Sequence, residues 1–398
     1  MKSAKLGDVA SFIRGVTFKP ADIEEASGTN VDCMRTKNVQ EELDRRDVWS
    51  LPTSMVKRDD QFLRTGDLLV SSANSWNLVG KACWIPELER PSTFGGFVSV
   101  LRPHSRVIEA RYLYRWFTSD MVQTRIRSFG NQTTNISNLD LKRTAGLSVP
   151  LPPLDEQRRI AAILDKADEL RAKRRQALAH LDTLTQSIFH SLFGDPTSAN
   201  NKTPLSELLG AIESGQSPVC DDRPALPNEW GVLKLSAVTK QEFDDTEHKA
   251  LVTGEPDRRH EVRPGDVLFS RKNTPALVAA VALVRSTRPK LLLPDLIFRL
   301  QIEDQRMLIP EYLQAVLAHP RQRSTIQGLA GGSASSMSNI SKAKLMTVQI
   351  PVPSLELQQS FATRVAAVER LKEKHRQHLA QLDALFASLQ HRAFNGEL

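Results

Sequence analysis

The chain has 398 residues, 40% of them hydrophobic and 25% charged, with 19 glycines and 22 prolines, which excludes a disordered chain, a collagen and a disulfide-built scaffold. The length suits two or three domains on the order of 100–200 residues each, with separate cores. A formal net charge of +7 suits a polyanionic partner without demanding one.

Cys33, Cys83 and Cys220 lie far apart and form no C-x-x-C, which argues against a zinc ribbon or a dithiol site and for a reducing compartment. The first fifteen residues carry no apolar leader core, and the longest apolar stretch, Pro275 to Val284, falls well short of the ~20 residues a membrane span needs. The expected location is the cytoplasm.

Residues 1–150 mix short β-rich runs with turns. Within "FLRTGDLLVSSAN" (Phe62 to Asn74), Gly66-Asp67 precedes an apolar run as a turn precedes a strand, and a helix is expected over Tyr112 to Ile126. A polar segment, "GNQTTN" (Gly130 to Asn135), follows. After Pro150, Pro152 and Pro153 the chain lacks Pro and Gly until Gly194. Asp155 is the expected N-cap of one long helix, and Gly194 with Pro196 its stop. Along it Ile160, Ile163, Ala167, Leu170, Arg174, Ala177, Leu181, Leu184 and Ile188 recur in steps of three and four, the pattern of a coiled-coil seam that Arg174 alone interrupts. Residues 196–350 return to short strands and turns. Residues 351–398 predict a second long helix, capped by Ser354 and ending at Asn395-Gly396. Its seam holds Phe361, Val365, Val368, Lys372, His375, Leu379, Leu382, Phe386 and Leu389.

This order is a duplication with a period of about 200 residues. "FLRTGDLLVSSAN" lies on "EVRPGDVLFSRKN" (Glu261 to Asn273), with Arg64, Gly66, Asp67, Leu69, Ser71 and Asn74 matched; Tyr112, Leu113 and Ile126 meet Tyr312, Leu313 and Ile326. An Asn-Ile-Ser triplet recurs at Asn135 and Asn339, and after a short deletion "PLPPLDEQ" (Pro150 to Gln157) meets "PVPSLELQ" (Pro351 to Gln358). A long helix with one apolar stripe must bury it, and the economical partner is the other copy. The expected fold is α+β: two similar mixed α/β heads (1–150 and 196–350) separated by helical spacers (151–195 and 351–398) that form an antiparallel coiled coil about 57 Å long, with a pseudo-twofold axis. The alternative is that each helix packs on its own head. Two diverged heads at a fixed separation suit an asymmetric two-part site on duplex DNA.

The order head, helix, head, helix, with "VPLPPLDEQRRIAAIL" opening the first helix, "FLRTGDLLVSS" and "VRPGDVLFSR" in the heads and "NIS" near each head's end, resembles the specificity subunit of a type I restriction-modification system over essentially the whole chain. The second helix, opening "PVPSLELQQSF", lacks the acidic-Gln-Arg-Ile start. The resemblance implies a non-catalytic subunit whose heads are target-recognition domains. It would recruit methyltransferase subunits, two of them, and restriction subunits. S-adenosylmethionine, ATP and Mg²⁺ would be bound by those partners and no cofactor by this chain. The residues agree with the absence of catalysis: the chain has no G-x-x-x-x-G-K-[ST] loop, no Asn/Asp-Pro-Pro-Tyr and no H-E-x-x-H. Two other readings remain at this point, a self-sufficient methyltransferase or nuclease with an unrecognised site, and a coiled-coil adaptor.

Base edges are read by side chains that donate and accept in fixed pairs. The candidates are Ser71, Ser72, Asn74, Ser75 and Trp76 in the first head, with Asn131, Gln132, Thr133 and Thr134. In the second head they are Arg271, Lys272 and Asn273, with Ser333, Ser335 and Ser336. Arg125, Arg127 and Arg143 are phosphate candidates, whereas Arg171, Lys173, Arg174 and Arg175 read as a solvated or docking face of the first long helix.

Overall fold

The computed structural model describes residues 2–25, 27–129, 131–132, 136–252, 254–331 and 337–398. The chain divides into two compact units, Met1–Arg175 with Gln377–Leu398, and Gln176–Arg376. Each unit therefore contains one head, part of the first long helix and part of the second.

The first head runs through β1 (Ala10–Arg14), β2 (Asn30–Met34), β3 (Trp49–Pro52), β4 (Leu68–Ser71), β5 (Ala73–Asn74), β6 (Ala82–Trp84), β7 (Ser92–Phe94), β8 (Val98–Pro103), α1 (Ala110–Phe117), α2 (Asp120–Arg127), β9 (Asn131–Gln132) and β10 (Ser137–Asn138), and leads into α3 (Leu154–Phe193). The main sheet has the order β1-β8-β4-β6, all antiparallel, and a second sheet has the order β3-β2-β7, with β2 parallel to β7. The second head repeats this with β11 (Leu209–Ser214), β12 (Cys220–Asp221), β13 (Gly231–Leu233), β14 (His248–Leu251), β15 (Val267–Ser270), β16 (Lys272–Asn273), β17 (Val281–Leu283), β18 (Leu291–Leu292), β19 (Ile297–Ile302), α4 (Pro310–Ala318), α5 (Pro320–Gln327) and β20 (Ser338–Asn339), before α6 (Leu355–Asn395). Its sheets are β11-β19-β15-β17 and β12-β14-β13-β18. The parallel pairing in this head's second sheet, β13 with β18, matches β2 with β7. The internal duplication is thus visible in topology as well as in sequence.

The central strand of each main sheet is an unbroken apolar run because both its faces are covered. Leu68 and Val70 face the core under α1, while Leu69 faces a second core with Ile13, Phe94 and Val100. Val267 and Phe269 divide from Leu268 in the same way. The Gly-Asp motif ahead of each strand is a locked turn. Gly66 and Gly265 hold φ of 91° and 95°, which a side chain would oppose. Asp67 accepts a hydrogen bond from the Arg64 N–H at 2.8 Å and a bidentate pair from Arg102 at 2.8 and 2.7 Å. Asp266 accepts likewise from the Arg263 N–H at 2.9 Å, but takes only one bond from Arg299, at 3.2 Å.

Two expectations about helices need correction. Tyr112 to Ile126 and Tyr312 to Ile326 are each two helices, not one. Ser119 interrupts the first pair, its hydroxyl donating to the Trp116 carbonyl at 2.7 Å. Pro320 interrupts the second, because it lacks an N–H and drives His319 out of the helical region. Asp155 lies inside the first turn of α3 rather than ahead of it, paired with Arg158 at 2.7 Å. Gly194 and Gly396 end α3 and α6 with φ of 67° and 81°, as their position predicts.

A third correction concerns the repeat itself. The Asn-Ile-Ser triplets are not equivalent. Ser137 pairs with Asn74, and Ser338 pairs with Asn273, so Ser137-Asn138-Leu139 matches Ser338-Asn339-Ile340. The helices that follow are capped alike, Asp140 accepting from the Arg143 N–H at 2.9 Å and Ser341 from the Lys344 N–H at 3.3 Å.

Inside each unit the two long helices run antiparallel. In the first unit Arg171 bonds Asp383 at 2.6 Å and lies 4.3 Å over Phe386, while Phe394 meets Tyr112 edge-on at 5.6 Å, near the start of α3. In the second, Asp182 bonds Lys372 at 2.8 Å and Phe193 meets Phe361 at 5.6 Å. Burial lowers the Lys372 amine, but hydrogen bonds to Asp182 and Glu369 outweigh it and the pKa ends above the usual lysine range.

Each helix portion also packs on its own unit's head, so the two alternatives drawn from the sequence coexist. Arg111 and Arg115 on α1 hold Asp165 and Asp168 on α3. Burial raises the Asp165 carboxyl, yet Arg111 and Arg115 bring it below its ordinary value. Gln157 is buried and joins the helix start to the head, accepting from the Glu109 N–H at 2.8 Å and donating to the Pro152 carbonyl at 2.9 Å; Gln358 repeats this with Ile309 at 3.0 Å and Pro353 at 2.9 Å.

This second contact turns the α3 seam. Ile160, Leu164, Ala167, Leu181 and Phe189 are buried, whereas Leu170 and Leu184, expected in the seam, are 43% and 42% exposed. A strict 3.5-residue repeat drifts on a helix of 3.6 residues per turn, and the head fixes which face turns inward. Ile163 and Ile188 are half-buried at the edge. On α6 the expected seam is found, with Phe361, Val365, Val368 and Phe386 buried and Leu379, Leu382 and Leu389 partly so. Among the described residues no helix is long and apolar enough to cross a membrane.

Leu164→Ala is expected to cost about 3 kcal/mol of stability, the usual range for emptying a packed leucine site, and Leu170→Ala less than about 0.5 kcal/mol. Urea denaturation followed by circular dichroism ranks the two; a strict heptad seam would reverse the order.

Candidate nucleic-acid interface

The structure brings the two polar segments of each head together. In the first head β5 pairs with β10, which pairs with β9, giving a small sheet at the end of β4. In the second, β16 pairs with β20, and Gly331 bridges Asn339. Both are tied to the main strand by one backbone bond, Leu139 N–H to the Ser72 carbonyl at 2.8 Å and Ile340 N–H to the Arg271 carbonyl at 2.9 Å.

Several of the polar residues serve this framework. Ser71 is buried and accepts from the Asn74 amide at 3.1 Å. Asn74 also accepts from the Ser75 N–H at 2.8 Å, and Asn273, buried, accepts from the Thr274 N–H at 2.8 Å. These account for the Asn shared by the two copies; the shared serine differs, since Ser71 accepts from Asn74 whereas the Ser270 hydroxyl is buried without a hydrogen-bond partner. Ser75 and Trp76 are exposed on the turn after β5, and Ser72 is half-buried. Arg271 lies 5.1 Å over Phe298 and points Nε at Asn339 Oδ1 at 3.4 Å; Lys272 next to it is half-buried. Asn131 and Gln132 form β9, whose backbone pairs with β10. Thr133, Thr134, Ser333, Ser335 and Ser336 lie outside the described residues.

Basic side chains stand beside both sheets. Arg125 lies in the last turn of α2 and Arg143 sits in the helix after β10, their guanidinium carbons 5.3 and 4.4 Å from the Phe129 ring centre. Arg127 is half-buried. Lys342 lies 5.7 Å over Phe298, and Lys344 donates to the Leu329 carbonyl at 2.8 Å. Arg323 on α5 donates to the carbonyls of Ala276, Val278 and Ala279 at 3.0, 3.2 and 3.1 Å and so fixes the turn after β16; burial lowers its pKa.

The basic run on α3 is not one solvated face. Arg171 is part of the helix pairing, Lys173 bonds Glu169 at 2.5 Å, and Arg175 bonds Glu41 of the first head at 2.8 Å.

Residues that the sequence reading missed include Phe97, exposed at the turn between β7 and β8, and the exposed pairs Leu78 and Leu277, Ile136 and Met337, at matching places around the two small sheets. Gly95-Gly96 ahead of Phe97 is the signal that could have found it, since glycine pairs mark tight turns. Cys33 and Cys83 are buried, which pushes each thiol up to about 12. Among the described residues no group of His, Cys, Asp or Glu could hold a metal ion.

Removing a phosphate-contacting arginine weakens DNA binding across sequences and lowers the salt slope by about one. That outcome is expected for Arg143→Ala in the assembled complex, read from binding isotherms at several salt concentrations.

The comparisons with known proteins agree with this arrangement. Residues 1–180 match the family model of the Type I restriction modification DNA specificity domain. The chain is 25% identical to the type I restriction enzyme EcoKI specificity subunit of Escherichia coli (strain K12), over 99% of this chain and 88% of the relative. It is 23% identical to the StySPI specificity subunit of Salmonella potsdam, over 100% and 89%. The type I restriction-modification S subunit from M. genitalium shares the fold, with a TM-score of 0.57 at 13% identity over 99% of this chain and 96% of that one. So does a chain from a study of assembly and conformational transition of the type I R-M system, with a TM-score of 0.57 at 17% identity over 100% and 98%. With its duplicated heads and long helices, the chain is similar along its whole length to the specificity subunits of type I restriction-modification systems.

Proposed function

We propose that the chain is the non-catalytic DNA-reading subunit of a methylating and restricting complex in the cytoplasm, and that it recognises an asymmetric two-part duplex site, one part per head. The observation that carries this reading is a contrast inside the repeat. The framework bonds recur position for position: Asp67 with Arg102 and Asp266 with Arg299, Asn74 with Ser75 and Asn273 with Thr274. The surface they support does not recur. Ser72, Ala73 and Trp76 stand where the second head has Arg271, Lys272 and Pro275. Arg favours guanine and small hydroxyl side chains are permissive, so diverged surfaces on one framework fit two different half-sites.

In this reading the heads are the target-recognition domains and the paired helices set the number of unread base pairs between the half-sites. Methyltransferase subunits, two of them, dock on the helices, and restriction subunits join them. S-adenosylmethionine, ATP and Mg²⁺ are bound by those partners. The exposed leucines of the helices support the docking role: Leu170 and Leu184 on α3 stand at the same places as Leu371 and Leu385 on α6, and all four are exposed. A repeated apolar pair is what two copies of one partner would use.

Exchanging residues 1–150 for the first head of another specificity subunit is expected to change one half-site and leave the other and the spacer intact. Mapping methylated adenines in cells that express the complex reads both halves at once; an unchanged site would overturn the proposal. Leu170→Asp with Leu371→Asp is expected to release the methyltransferase subunits on gel filtration while leaving the melting temperature of the isolated chain within a few degrees.

A further inference from the structure

The first head carries an exposed aromatic pair that the second lacks. Phe97, 68% exposed, forms the tip of the turn between β7 and β8. Its carbonyl accepts from the N–H groups of Ser72 and Ala73 at 3.0 and 3.1 Å, which pins that turn to the segment entering β5. Trp76, 49% exposed, sits in the turn leaving β5, where the N–H groups of Leu78 and Val79 bond the Ser75 carbonyl at 2.9 and 3.0 Å. Both rings therefore project from backbone held in place by hydrogen bonds, on either side of the same short strand. The second head keeps the framework and drops the rings. Arg271 N–H donates to the Leu296 carbonyl at 3.1 Å, so Leu296 occupies the place of Phe97, half-buried, and Pro275 occupies that of Trp76.

Folding does not account for these rings, since exposed aromatic area forgoes the stabilisation of burial. Bases suit them better than a protein surface. The exposed side chains around β5 and β10, Ser75 and Asn138, carry a hydroxyl and an amide of the kind that reads base edges. Arg125 and Arg143 flank the sheet with positive charge, which a polyanion satisfies. We propose that Phe97 and Trp76 stack against or wedge between base pairs of the first half-site. The first head then reads a step partly by how readily it unstacks, whereas the second reads by hydrogen bonding alone. This rests on the DNA-reading function proposed above.

The test uses the chain assembled with its methyltransferase subunits and a duplex carrying the site found by adenine mapping, with 2-aminopurine at successive positions other than the methylated adenine. For the native chain, fluorescence is expected to rise at one step of the first half-site and not in the second. Phe97→Leu, which installs the residue type of the second head, and Trp76→Ala should each abolish that rise and weaken binding on the order of ten-fold. Subunit assembly and melting temperature should not change. Variants that bind and fluoresce like the native chain, while the site is still discriminated, would overturn the wedge and leave the DNA reading standing. Loss of the methyltransferase subunits from either variant would overturn it in favour of a protein-docking surface. A native complex without sequence preference would remove the DNA reading and the wedge together.

Discussion

Each unit depends on one burial problem: two portions of long helix, each with an apolar stripe, must be desolvated against the same helix of a head. In the first unit Tyr112 is the meeting point. Its hydroxyl donates to the Pro150 carbonyl at 2.9 Å and its ring packs on Phe394, so the incoming end of α3 and the last turns of α6 close on one side chain. Tyr312 repeats this, with its hydroxyl on the Pro351 carbonyl at 2.9 Å and its ring 4.9 Å from Phe193. A buried tyrosine needs a partner for its hydroxyl, and the proline-rich entry to each helix supplies the accepting carbonyl.

The same constraint fixes where the helices carry charge. Away from the aromatic ends the pairing is polar: Arg171 with Asp383 in one unit, Lys372 with Asp182 and Glu369 in the other. Partly buried ions need complete partnering to be tolerated, and here each cation finds carboxylates from both its own helix and the facing one. The heads join in at matching places. Glu41 bonds Arg175 and Glu242 bonds Arg376, at 2.8 and 3.2 Å. These exposed pairs contribute little stability; their recurrence ties the same loop of each head to the same turn of a helix.

Function follows from what this framework leaves free. Ser71, Asn74 and Asn273 near the small sheets are occupied in holding strands and turns together, and the positions between the repeated residues vary from one head to the other. A framework of fixed bonds carrying variable side chains is a general way to place recognition on a rigid base. The exposed leucines of α3 and α6 obey the same logic on the helical surface, recurring in register because the helices are copies.

The sequence by itself determined the duplication, the turn before each central strand, the two long helices and the α6 seam, because these are local signals: glycine that must take positive φ, strands covered on both faces, and stretches free of proline and glycine. The family resemblance was legible in the same residues. Only the tertiary structure decided that Asn138 rather than Asn135 matches Asn339, because the match is set by strand pairing and not by letters. It also decided which face of α3 turns inward in the first unit, since Arg111 and Arg115 of the head pull Asp165 and Asp168 toward them and leave Leu170 outside. Phe97 was illegible for the same reason: an apolar residue in a turn is exposed or buried according to what the rest of the chain places over it.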